Sequence, residues 1–280
     1  MATVFMFPGQ GSQSLGMGAG LFERYPGLTA EADAVLGYSV KELCLADPDD
    51  KLKRTDYTQP ALYVVDCLSC LAKIEDEKIK PDFVIGHSLG EYAALYAAGA
   101  FDFSTGLKLV RKRGALMNAA SGGGMAAILG MTGDAVASAL AELGAGSIDV
   151  ANLNSPGQTV ISGPKADIET FAPQFKEKGA KRVVILPVSG AFHSRYMKPA
   201  AEEFGAFLRG FSFGKLSIPC IANCSAEPYT DESIAPNLVS QMYSSVRWMD
   251  TVKSLRKQGA DNFVEVGPGK VLGGLARRIT

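Results

Sequence analysis

The pentad Gly86-His87-Ser88-Leu89-Gly90 sets one serine between two glycines, after an apolar run ending at Ile85 and before a helix of small residues, Leu89 to Ala98. It fits G-x-S-x-G, in which a sharp strand-to-helix turn lifts the serine hydroxyl out of the packed interior. Glycines on either side remove side chains that would strike the neighbouring strand and helix. The first helical turn also leaves backbone N–H groups without partners, ready for developing negative charge. The plainer reading, a glycine-rich turn in which Ser88 merely caps a helix, uses the same residues without chemistry.

A serine hydroxyl needs a base to take its proton. The chain offers two imidazoles, His87 and His193. His87 adjoins Ser88, and neighbouring side chains diverge at such a turn, so it is poorly aimed. His193, in Gly190-Ala191-Phe192-His193-Ser194, follows a predicted strand about a hundred residues later. Nucleophile first and histidine later is an established order, with proximity supplied by the fold. No Asp or Glu stands out as an orienting partner, and a backbone carbonyl can do that work. The competing reading is a satisfied core histidine.

A third chemical group sits in Leu107-Lys108-Leu109-Val110-Arg111-Lys112-Arg113-Gly114-Ala115-Leu116-Met117, an amphipathic helix. Leu109, Leu116 and Met117 recur near helical spacing, with Arg113 on or beside their face. A buried guanidinium needs an anion, and a carboxylate matches its planar fork at two points. The alternative is a structural ion pair or a snorkelling side chain. The loop Gly9-Gln10-Gly11-Ser12-Gln13 lacks the lysine and spacing of a phosphate loop; its glycines suit close approach of backbone to a reacting carbonyl.

The elements that must position these groups follow from patterning. Thr3–Phe7 and Asp82–Ile85 read as buried strands, and Pro60 suits the first turn of a long helix starting at Tyr57-Thr58-Gln59. Ser104 can cap a helix reaching Ala119. After Ser121-Gly122-Gly123-Gly124, a flexible joint, the order becomes strand Met125–Gly130, helix Asp134–Leu143, strands Ile148–Leu153 and Thr159–Ser162 joined by Asn154-Ser155-Pro156-Gly157, helix Ala166–Lys178, strand Arg182–Pro187. That βαββαβ order is the plan of a ferredoxin-like subdomain. Strand Ile218–Ala222, helices Glu232–Tyr243 and Trp248–Gln258, strand Asn262–Val266 and a basic last helix complete the chain. The expected fold class is α/β: a large domain with a mostly parallel sheet, residues 1–123 and 190–280, and the small subdomain inserted at 124–189.

The 280 residues carry 28 Lys plus Arg against 29 Asp plus Glu, a net charge of −1. No basic excess favours nucleic acid or an anionic membrane. No window holds 18 uninterrupted apolar residues, so no membrane span is expected. Met1 to Phe7 enters an apolar run without a cationic leader, so no export signal is read and a cytoplasmic setting is expected. Cys44, Cys67, Cys70, Cys220 and Cys224 are an odd, scattered set. With two histidines, zinc-ligand spacing is absent, and the thiols read as buried bystanders.

Six stretches occur in order: Phe7-Pro8-Gly9-Gln10-Gly11-Ser12-Gln13, Gly86-His87-Ser88-Leu89-Gly90-Glu91-Tyr92, Arg111-Lys112-Arg113-Gly114, Asn154-Ser155-Pro156-Gly157-Gln158, Phe192-His193-Ser194 and Glu265-Val266-Gly267-Pro268-Gly269. Together, from about residue 4 to residue 279, they resemble the malonyl-CoA:acyl carrier protein transacylases, of fatty-acid enzymes and of stand-alone acyltransferases serving polyketide synthases. The resemblance implies a hydrolase-like α/β domain with an inserted ferredoxin-like subdomain. It implies that Ser88 is the acylated nucleophile, His193 its base, and the Gln10 and Leu89 N–H groups the oxyanion hole. Gln241 matches the position whose carbonyl orients the histidine, and Arg113 the arginine that grips the malonyl carboxylate. Phe192 and His87 are expected to line the substrate pocket. Phe before the histidine goes with malonyl use in polyketide-type members, whereas Gly190 departs from the histidine that their malonyl pattern often carries there.

The implied partners are malonyl-CoA and an acyl carrier protein, free or within a polyketide synthase, whose phosphopantetheine thiol receives the acyl group. No bound cofactor, metal, nucleic acid or membrane is implied, and one compact monomer is adequate. Arg111, Lys112, Lys181, Arg182, Arg195, Lys198, Arg277 and Arg278 are available to an acidic carrier. A serine esterase or thioesterase would share the Ser-His pair and deliver the acyl group to water; a non-catalytic docking protein would keep the fold without needing the pair.

Overall fold

The structure is a computed structural model and describes residues 2–280. Strand β1 (Ala2–Phe7) is followed by helices α1 (Leu21–Arg24), α2 (Pro26–Leu36), α3 (Val40–Leu45) and the long α4 (Thr55–Glu77). Strand β2 (Phe83–Gly86) leads into α5 (Gly90–Ala98) and α6 (Phe103–Ala119). The inserted unit then runs β3 (Gly123–Leu129), α7 (Gly133–Glu142), β4 (Asp149–Ser155), β5 (Gln158–Pro164), α8 (Lys165–Phe171) and β6 (Arg182–Ile185). The chain closes with α9 (Lys198–Leu208), α10 (Ile234–Gln241), α11 (Trp248–Lys257), β7 (Ala260–Glu265) and α12 (Val271–Ala276).

The first sheet has the order β2-β1-β7 and is parallel throughout. Strand β1 is its centre, and alternation along it feeds two cores. Phe5 and Phe7 join Tyr63, Leu68 and Tyr92 on one face, while Val4 and Met6 join Trp248, Val252 and Leu272 on the other. A strand buried on both faces has no use for polar residues, which is why β1 reads as an unbroken apolar run.

The second sheet is antiparallel, order β4-β5-β3-β6, with its helices on one face. Ala126 and Ile128 pack there against Val136, Leu140, Ile168 and Phe175, while Met125 and Ala127 turn the other way into the main core. This is the α/β fold with a ferredoxin-like small subdomain that the patterning predicts.

Several local expectations shift for identifiable reasons. Ile218–Ala222 is not a strand: only isolated bridges, Val84 with Cys220 and Ile221 with Pro228, are formed. Pro219 and Pro228 have no N–H to give a ladder. Helix α4 begins at Thr55, which puts Pro60 in its second turn. Asp102, not Ser104, caps α6 by accepting from Thr105 N at 2.7 Å. The helix expected to reach Lys178 breaks at Phe171 and continues as a 3-10 turn through Pro173. Within the triple glycine, Gly123 is closely packed, since a Cβ on it would fall 2.0 Å from Ala191 N, whereas Gly122 faces open space. No helix among the described residues is long and apolar enough to cross a membrane.

Candidate active site

The parallel register pairs Phe7 with Gly86 and Met6 with Glu265, so three strands end side by side. The loop Pro8–Gln13, the serine turn and Gly267-Pro268-Gly269 therefore leave the same carboxyl edge, where α/β sheets collect their ligand-binding loops.

Ser88 sits on its turn at φ +52°, a left-handed conformation costly for any residue with a Cβ. The bracketing glycines make it possible. A Cβ on Gly86 would lie 2.0 Å from the Gly90 carbonyl carbon, and one on Gly90 would lie 2.0 Å from the Phe7 oxygen. Asn223 clamps the turn from outside: its Oδ1 accepts from Ser88 N and its Nδ2 donates to Gly86 O, both at 2.7 Å.

His193 is also left-handed, at φ +55°. Its Nε2 lies 2.7 Å from Ser88 Oγ and its Nδ1 lies 2.9 Å from the Gln241 carbonyl oxygen. A carbonyl only accepts, so Nδ1 carries the hydrogen and Nε2 turns its lone pair to the serine hydroxyl. Burial, reinforced by the positive charge of Arg113, pushes the imidazole down to about 3. The ring is therefore neutral near pH 7, the form a base requires.

Arg113 is fully buried on α6. Its Nη1 donates to Gln59 Oε1 at 2.8 Å, and its Nη2 donates to Gln241 Oε1 at 2.8 Å and to Ser88 Oγ at 3.1 Å. All three acceptors are neutral, and Nε–H has no partner among the described residues. The Tyr92 ring lies under the guanidinium, 5.5 Å from Cζ to centroid. Burial lowers the proton affinity of this group, yet an arginine stays charged in proteins. A dry cation with no carboxylate bonded to it among the described residues thus stands in contact with the Ser88 hydroxyl.

The N–H groups of Gln10 and Leu89 donate to no acceptor among the described residues, and both residues line the cavity holding Ser88. Gly9 brings their loops together, since a Cβ on it would fall 2.3 Å from the His87 oxygen and 3.6 Å from Leu89 N. Leu89 N also lies at the start of α5, where the helix dipole favours negative charge. The cavity, about 110 Å³, is walled by Met117, Met125, Val188 and the buried Phe192. A side chain on Gly190 would crowd that ring, for its Cβ would lie 2.4 Å from Phe192 Cε1.

His87 turns away to the small subdomain. Its Nε2 meets Asn154 Oδ1 at 2.8 Å, and its ring tilts against Trp248 at 5.6 Å. It lines both the inner cavity and an adjoining cleft of about 210 Å³ that adds Asn154, Gln158 and Val271.

Every residue singled out for the site in the sequence thus lies in or against one cavity, apart from Gln241, which touches it from behind. Sequence reasoning missed the side chains that hold them: Gln59, Asn154, Asn223, Glu91 and the amide of Gln241. The one visible signal was Glu91, a charge in the otherwise small and apolar segment Gly90–Ala98. Among the described residues, no group of three or more His, Cys, Asp or Glu side chains is arranged to hold a metal ion.

Residues 4–276 match the acyl transferase domain family. The polyketide biosynthesis malonyl CoA-acyl carrier protein transacylase PksC of Bacillus subtilis (strain 168) is 55% identical over 276 residues, covering 98% of this chain and 96% of its own. The crystal structure of a malonyl CoA-acyl carrier protein transacylase from Burkholderia pseudomallei superposes with a TM-score of 0.95 at 48% identity, covering 100% of this chain and 98% of the other. A malonyl-transacylase in complex with AntF, a type II polyketide synthase acyl-carrier protein in its holo form, also superposes with a TM-score of 0.95, at 39% identity and with 100% and 93% coverage. With a serine turn, a carbonyl-held imidazole and a family match over nearly its whole length, the chain belongs to the acyl transferase domain family.

Proposed function

We propose that this chain is a malonyl-CoA:acyl carrier protein S-malonyltransferase for fatty-acid or polyketide synthesis, working through a malonyl ester on Ser88. The observation that carries the reading is Arg113, a buried guanidinium hydrogen-bonded only to neutral oxygens and 3.1 Å from the serine hydroxyl. A site built for uncharged acyl groups gains nothing from such a cation, whereas a malonyl carboxylate supplies its missing anion.

The steps follow from the contacts. Ser88 gives its proton to His193 Nε2 as Oγ attacks the thioester carbon, and the N–H groups of Gln10 and Leu89 receive the oxyanion. The imidazolium, disfavoured by burial and by Arg113, passes its proton to the departing CoA sulfur. In the return half-reaction His193 takes the proton of the carrier's phosphopantetheine thiol. The sulfur attacks the ester, and Ser88 Oγ leaves with the proton. The amides of Asn152, Asn154 and Gln158 along the outer cleft suit the amides of a pantetheine arm threading inward beside His87. Phe192 narrows the acyl end of the cavity.

The carrier protein is the partner this reading requires, and the malonyl group travels without a bound cofactor. We assign residues 1–123 and 190–280 to the catalytic domain and 124–189 to the inserted subdomain. The Gly123 N to Ser189 O bond at 3.1 Å, where the two crossings run together, supports those limits. A single copy in the cytoplasm is sufficient for the reaction.

Mass spectrometry after mixing with malonyl-CoA, with and without a holo carrier protein, tests the proposal. One malonyl group on Ser88 that moves to the carrier is expected. Rapid release of CoA with free malonate and no acceptor would instead identify a hydrolase.

A further inference from the structure

Glu91 takes no part in the bond-making steps, yet it is completely buried on α5, one helical turn behind the nucleophile. Its Oε1 accepts from Asn223 N and from Tyr229 Oη, each at 2.8 Å. Its Oε2 accepts from Gln241 Nε2, which also donates to the Ser88 carbonyl at 2.7 Å. The other end of the same amide, Gln241 Oε1, accepts from Arg113 Nη2. Three groups therefore dictate which way the amide faces: two acceptors demand its nitrogen on one side, and a cation demands its oxygen on the other.

We propose that Glu91 is a positioning residue for malonyl selectivity, holding the Gln241 amide so that its oxygen, not its nitrogen, meets Arg113. The inference rests on Arg113 being the carboxylate anchor. The three hydrogen-bond partners of this carboxyl are all donors, so it accepts from Gln241 Nε2 and leaves Oε1 for the guanidinium. Replacing one oxygen of Glu91 by an NH₂ group changes this at nearly constant shape. In Glu91→Gln the remaining oxygen stays with Asn223 N and Tyr229 Oη, and the new NH₂ faces the Gln241 NH₂. Relief by rotating the Gln241 amide sets donor against donor at Arg113, and unpaired buried donors are costly. The guanidinium loses its fixed orientation, while the Gln241 main-chain carbonyl still holds His193.

The test compares malonyl-CoA and acetyl-CoA as donors to one holo carrier protein, in wild type and in Glu91→Gln. The variant is expected to lower kcat/KM for malonyl by roughly 10- to 100-fold, chiefly through KM, as for a misplaced charge-assisted hydrogen bond. Acetyl transfer should change by less than about threefold, since it makes no use of the anchor. Equal losses on both donors, or none on malonyl, overturn the inference. Should Glu91→Gln fail to fold, Tyr229→Phe decides: it removes one donor from Oε1 and should lower the malonyl-to-acetyl ratio by about threefold. An unchanged ratio there overturns the inference as well. A wild type that shows no preference for malonyl would refute the anchor itself, a distinct outcome.

Discussion

The two ends of the cavity that holds Ser88 and Arg113 are built from different materials. At the Ser88 end the atoms that face the cavity and the imidazole include main chain: the Gln241 carbonyl holds His193, and the Gln10 and Leu89 N–H groups have no acceptor among the described residues. The Asn223 side chain braces the turn behind. At the arginine end the partners are side chains: Gln59, the Gln241 amide and, behind it, Glu91. Backbone donors survive most substitutions, whereas amides and carboxylates are replaceable one at a time. On the proposed function, substitutions should therefore disturb acyl selectivity more readily than the main-chain contacts around Ser88 and His193. Gln241 belongs to both ends, its carbonyl meeting His193 and its side chain meeting Arg113.

The largest effect expected from breaking this contrast is on chemistry. Ser88→Ala should abolish the malonyl-enzyme, and intact-protein mass spectrometry should show no adduct; a stable ester elsewhere would reassign the nucleophile. Next, Arg113→Ala should lower malonyl kcat/KM by about 100-fold, the scale of one buried charged contact, while acetyl transfer persists. Competition between the two acyl-CoAs reads this directly, and an unaltered preference would take Arg113 out of recognition.

Gln241→Ala sharpens the comparison, because it deletes the amide and keeps the carbonyl. Malonyl selectivity should drop by about tenfold. Labelling of Ser88 by a serine-directed fluorophosphonate should stay within about threefold of wild type, since His193 keeps its carbonyl partner. Loss of labelling would mean that the two ends are not separable.

The smallest effect concerns pH. A His193 imidazole held down to about 3 is neutral throughout pH 5–8, so kcat/KM for acetyl should show no inflection from it there. Stability carries the complementary sign. The folded state resists the proton that an unfolded histidine binds near pH 6.5, so stability from this group is full above that value. It is lost as pH falls from about 6.5 toward 3, by at most about 1.4 kcal/mol per pH unit. Glu91, pushed up to about 7 by burial, acts oppositely: its contribution falls as pH rises from 4.5 to 7. Urea titrations of wild type and His193→Gln at pH 4 and pH 7 separate the two, and an identical pH dependence in both proteins would contradict the assignment.

The apolar run of β1 and the glycines at 86 and 90 were legible in the sequence because their causes are local. Burial on both faces excludes polar residues from a central strand, and a reversed turn at Ser88 excludes a Cβ on either side. Two of the expectations that moved, at Pro219 and Pro173, did so where a proline changed hydrogen bonding in a way that periodicity does not register.

Residue types and order alone determined the α/β plan with its inserted unit, the serine turn, and His193 as the more promising of two imidazoles. Tertiary structure decided which atoms meet. Gln59, Arg113 and Gln241 are far apart in the chain, and no local pattern relates them. Their amides acquire a direction only when helices α4, α6 and α10 close around one dry cation. Spacing records what a segment can do by itself, whereas the partner of a buried polar group is chosen by whatever the fold brings within about 3 Å of it.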